Sequence, residues 1–165
     1  MVTETYMQEI NEGHAKKILD LLSHGLVSGL GIPKPGEMCV EAAICFALDL
    51  PHGDDPKCVS APLRRLKIRL NDSNWSSDAA RAKGLERLAL AQLGSKGVLD
   101  DAEFTRRVVA LAIQTSVPQA LRAAASVCKT PSHQQAMLEA AEKCEKEPTR
   151  ENALGAKSAA YAAYA

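Results

Sequence analysis

The chain has no net charge: lysine plus arginine and aspartate plus glutamate each number 20. That balance argues against a coat for long nucleic acid and against a polybasic membrane binder. No apolar run approaches the ~20 residues needed to span a bilayer, and no hydrophobic leader is evident. The five cysteines (Cys39, Cys45, Cys58, Cys128 and Cys144) include no CxxC pair and are odd in number. A disulfide framework or a paired-ligand zinc site is therefore disfavoured, and reduced thiols in a cytosolic setting are expected. No stretch alternates with the period of a β-strand, no repeat of fixed period occurs, and Trp75 is the single tryptophan.

What is present reads as helix. A chain of 165 residues can bury a real core without staples. The expected architecture is an all-α, multi-helix domain over 1–148, with an Ala/Tyr-rich helical extension over 149–165. Apolar positions predict a first helix from about Glu4 to Ser23 and a second from Glu37 to Leu48, around Val40, Ala43, Ile44, Ala47 and Leu48. Ser60 caps a third, with Pro62 in its first turn and Leu63, Leu66 and Leu70 as the expected buried stripe. Asn-Asp-Ser-Asn-Trp is a turn, and Ser77 opens a helix that runs to Gly94. A later helix from about Asp101 is expected to break near Pro118 and resume to Lys129, followed by one from Pro131 to near Pro148. Tyr161 and Tyr164 lie three apart in an Ala-rich tail, which predicts docking on the domain or on a second copy, and hence a homo-oligomer.

Chemically expressive residues concentrate between Gly36 and Ser95. Residues 1–59 carry four basic and nine acidic side chains, whereas 60–87 carry seven basic and three acidic ones. A local positive field suits a small anionic ligand better than a polyanion. Glu41 sits in an apolar helix, so it is either paired or neutral. It can serve a ligand, or form a structural pair with Arg65, Arg69 or Arg81. Arg65 and Arg69 are one turn apart and can grip a phosphate, although a solvated face looks the same in sequence. Asn71, Asp72 and Asn74 offer edges that read a sugar or base, and Trp75 offers a stacking plate. Arg81 lies one turn inside the helix whose start could hold an anion. The expected ligand set is thus Glu41, Arg65, Arg69, Asn71, Asp72, Asn74, Trp75 and Arg81, with no metal and no cofactor.

Catalysis is the competing reading, with no catalytic residue assigned in the leading one. Cys39 at a helix start could be activated as thiolate, with His52 as base and Asp54 or Asp55 to orient it, and Glu41 could act as acid or base. Against this, small buried cysteines are common packing residues, and no third partner stands at a recognisable spacing. His14, His24 and His133 are isolated and take no role.

The motifs CVEAA at Cys39–Ala43, HGDDPKCV from His52, RLND with Trp75 and AQLGS at 91–95, together with the SAAYAAYA tail, resemble a group of small phage- and prophage-encoded proteins. The resemblance covers roughly residues 26–128 plus the tail. It implies a phage accessory protein acting in the cytoplasm of an infected bacterial host. In that context the expected function is anti-defence: sequestering a small phosphorylated signal, a cyclic nucleotide or ADP-ribose derivative, without cleaving it. The alternatives are a hydrolase using Cys39 and His52 or Glu41, and a helical module that blocks a host protein.

Overall fold

The computed structural model describes residues 10–164. Within them the chain is all-α, with one isolated antiparallel bridge between Gly31 and Met38. The part of the first expected helix before residue 10 lies outside the described residues. The helices are α1 (Glu12–Ser23), α2 (Val40–Ala47), α3 (Ala61–Asn71), α4 (Asp78–Ala91), α5 (Asp101–Leu111), α6 (Val117–Val127), α7 (Pro131–Lys146) and α8 (Arg150–Tyr164), with a π-helical turn at Ala112–Ser116. The chain divides into two units, 1–101 and 102–165. The boundary at residue 148 read from the sequence falls between α7 and α8, inside the second unit.

In the first unit, α1 opens under Asn11, whose side chain accepts from the His14 amide at 3.1 Å. It buries Ile18, Leu21 and Leu22, one stripe at helical spacing. α2 is the centre: α1, α3 and α4 all pack on it, and every one of its residues except Phe46 is buried. It begins at Val40 rather than at Glu37. The backbone just before it is engaged with the loop instead, since Ile32 N–H donates to the Glu37 carbonyl and Val27 N–H to that of Met38. That tight loop needs Gly31, whose φ is +70° and where a Cβ would lie 2.0 Å from the Glu37 oxygen. α3 buries Leu63, Lys67 and Asn71. The leucine stripe expected there is corrected accordingly: Leu66 is only half-buried and Leu70 is exposed.

The second unit packs α6, α7 and α8 around Ile113, Leu121, Ala125, Met137, Ala141, Cys144 and Ala156. Pro118 does not interrupt the helical path as expected. It has no N–H for the carbonyl four residues back, and the chain absorbs this by widening: the Val117 amide bonds the Ala112 carbonyl, five residues back. α8 lies on α7 and α6 through its alanines, with Ala156 fully covered, while Tyr161 and Tyr164 face outward.

Candidate functional site

Glu41 is enclosed, and its charged partner is Lys67. Their atoms lie 3.4 Å apart and both side chains are 0% exposed. Gln92 Nε2 donates to the other Glu41 oxygen at 3.2 Å. The arginine partners expected for Glu41 are thereby replaced. Arg65 and Arg69 occupy the exposed side of α3, whereas Lys67 is on the side that meets α2. Burial is the leading influence on both groups of the pair. It raises the Glu41 pKa and lowers that of Lys67 to about 8, each opposed by the partner's charge. Glu41 Oε1, Lys67 Nζ and Gln92 Oε1 have no hydrogen-bond partner.

Asn71, Asp72, Trp75 and Arg81 each hydrogen-bond another part of the first unit. Asn71 Oδ1 accepts from the Val40 amide at 3.2 Å, satisfying a donor at the start of α2, while its Nδ2 donates to the Val27 carbonyl at 2.9 Å. Asp72 accepts from the Gly29 amide at 2.8 Å. The Asn71 side chain and then that amide hold its carboxyl below the usual range. Arg81 is buried and donates to the carbonyls of Asn71 at 2.8 Å and Leu26 at 2.6 Å, and to Asp78 at 2.5 Å. Trp75 Nε1 donates to the Leu70 carbonyl at 2.8 Å, and its ring rests on Gly84, where a Cβ would lie 2.3 Å from it. Asn74 is exposed.

Cys39 occupies the N-cap of α2, and its sulfur accepts from the Ala42 amide at 3.3 Å. Burial raises its pKa above the ordinary value, with Glu41 and Asp54 adding to the rise and the backbone bonds opposing it. Burial thus outweighs the helix start, which works against the thiolate that the competing catalytic reading needs. His52 is exposed and donates through Nε2 to the Gly31 carbonyl at 3.1 Å. Among the described residues no group of His, Cys, Asp and Glu could hold a metal ion.

Cys39, Glu41, Asn71 and Asp72 do converge. With Asp54 and Gly29 they line a cavity of about 60 Å³. That is room for water, far below the ~300–1,000 Å³ of a ligand pocket. A second cavity, of about 340 Å³, lies at the start of α3 and is lined by Ser60, Arg64, Lys96, Asp55, Val59 and Leu99, among others. Here the Ser60 amide donates to Ser95 Oγ at 3.0 Å, while Ser60 Oγ and Arg64 Nε, both buried, have no partner. Arg64 pairs with Asp55, which Lys57 also holds at 2.5 Å. None of these residues is in the ligand set read from the sequence. The signal was the Ser60-Ala-Pro62 helix start with Arg64 one turn on, and it looks the same as an ordinary cap. No protein-family model matches this chain, and no curated protein or solved structure matches it either.

Proposed function

We propose that the first unit binds a small phosphorylated nucleotide signal and holds it without cleaving it, as a phage accessory protein in the cytoplasm of an infected host. One observation carries the reading: a cavity of about 340 Å³ is lined by two cations, Arg64 and Lys96, and by Ser60, and two of these residues each hold a buried polar atom beside it, Ser60 Oγ and Arg64 Nε, with no partner. Buried donors left unpaired are unfavourable by about 1–3 kcal/mol each, so such a cluster favours an acceptor from outside. The volume falls within the range of small-molecule sites. The phosphate-gripping role moves from Arg65 and Arg69 to Arg64, which faces the cavity. The phage setting rests on the CVEAA, RLND and AQLGS motifs and the tail. Binding without turnover fits a Cys39 kept as thiol and engaged as a helix cap.

Calorimetry against cyclic oligonucleotides, ADP-ribose isomers and nucleoside phosphates tests the reading. One class should bind, come back chemically intact after heat release, and lose about tenfold or more in affinity in Arg64→Gln. Absence of heat across the panel, or recovery of a cleaved ligand, ends the sequestration reading.

A further inference from the structure

Resting on that binding reading, the arrangement around Asp55 narrows what the cavity takes. Asp55 pairs with Lys57 at 2.5 Å and with Arg64, while Lys96 lines the same cavity. The Lys57 hydrogen bond first, then the charges of Arg64, Lys57 and Lys96, hold its carboxyl below the usual range. A tethered carboxylate thus sits among three cations, and its side chain remains half-exposed.

Beside it is the start of α3, an 11-residue helix. Ser60 is 2% exposed and stands at the N-cap, yet its side chain makes no capping bond and its hydroxyl has no partner. Pro62 carries no N–H, and the amides of Ala61 and Leu63 have no intrahelical acceptor. One turn on, Arg64 Nε is buried and equally unpartnered. The two residues that carry the uncommitted buried hydroxyl and guanidinium nitrogen, Ser60 and Arg64, thus line one cavity together with Ala61 at the helix start.

We propose that this cavity receives the phosphoryl end of a phosphomonoester, which displaces Asp55 from Arg64. A carboxylate brings one charge and two oxygens. A phosphomonoester brings about −1.5 to −2 charges and three strong acceptor oxygens. It can therefore serve Ser60, Arg64 and Lys96 together and outcompete the tethered acid. A phosphodiester, with one charge and two free oxygens, gains little over Asp55 and binds weakly. Asp101 also lines the cavity and adds to the penalty on any anion that does not reach all three donors.

The full-length protein is titrated with inorganic phosphate and, separately, with dimethyl phosphate, following the Arg64 Nε–H resonance by NMR. Phosphate should shift it saturably, with an affinity about tenfold or more above that of dimethyl phosphate. Asp55→Asn should tighten phosphate binding by about tenfold, the value of one charge-assisted hydrogen bond no longer broken. Asp55→Ser should change affinity in the same direction, and Lys96→Gln should weaken binding. No saturable shift with phosphate overturns the inference, as does an Asp55→Asn protein that binds phosphate equally or less well. The two readings fail separately. A silent nucleotide panel with Arg64 still responding to phosphate removes sequestration alone. A panel ligand that binds while the Arg64 resonance stays still removes the phosphoryl site alone.

Discussion

Lys67 and Glu41 stand 3.4 Å apart with no water-facing surface, and each leaves a polar atom unbonded. Removing both charges from water is expensive, and a pair with imperfect hydrogen bonding recovers only part of that. Lys67→Met alone strands the Glu41 carboxylate and should lower stability by about 3–5 kcal/mol, whereas Glu41→Leu with Lys67→Met should be neutral or stabilising. Urea unfolding of the three proteins measures this, and a double variant as weak as the single one would show that the pair is a net stabiliser. The pH dependence has a definite sign. The Lys67 pKa is depressed from 10.5 to about 8, so between these values the unfolded chain binds more protons than the folded one. Stability relative to the double variant should therefore rise with pH from about 8 to 10.5 and be level, at its lower value, where Lys67 is protonated in both states just below about 8. Sequence carried Glu41 correctly to the protein interior, because an acid flanked by Val40, Ala42, Ala43 and Ile44 has nowhere polar to face. It did not yield Lys67, because a lysine among Arg64, Arg65 and Arg69 looks solvated until the acid opposite is known.

α3 shows why rotation about a helix axis is the hardest thing to read at the scale of the element. The stripes 63-66-70 and 63-67-71 are neighbours on the same cylinder, and apolarity favours the first. The structure selects the second, because Lys67 meets Glu41 and Asn71 completes the start of α2. The existence and order of the helices followed from periodicity and from Pro and Gly punctuation, which are local. Which face turns inward depended on partners far along the chain. Asn71 offers the sharpest test. Asn71→Leu satisfies the apolar pattern yet strips an acceptor from the Val40 amide and a donor from the Val27 carbonyl. It should lower stability by about 2–6 kcal/mol, summing two unsatisfied groups, and a melting temperature at or above wild type would overturn this role. Gly84→Ala gives an independent check on α4. The added methyl would press into the Trp75 ring, so a loss of about 1–3 kcal/mol with altered Trp75 emission is expected, and an unchanged spectrum would refute the contact.

At the scale of the whole molecule the expressive residues and the bland ones belong to different units: 1–101 holds the cavities and 102–165 an alanine-rich helical core. The contrast was legible in the sequence after Ser95, because composition changes there. The integration of α8 was not, because alanines carry little apolar area and only close helix approach gives them weight. Ala153, Ala156, Ala159 and Ala163 recur at helical spacing on the side that joins the second core, and Asn152 Nδ2 ties α8 back to the Glu147 carbonyl at 2.8 Å. Truncation after Pro148 should therefore open that core. Cys144, fully buried in the intact protein, should become reactive to a thiol reagent, while Trp75 fluorescence reports whether the first unit is still folded. A Cys144 as inert as in the full chain would mean that α8 contributes nothing to the core. Tyr161 and Tyr164 are 64% and 94% exposed, so they add little to the core of their own unit, and the homo-oligomer expected from the tail is tested at these two positions. Light scattering on Tyr161→Ser with Tyr164→Ser separates the two roles of the tail. A halved or smaller mass with Cys144 still protected assigns the tyrosines to assembly and the alanines to the core. An unchanged mass leaves the tyrosines without an assembly role and confines the tail to packing.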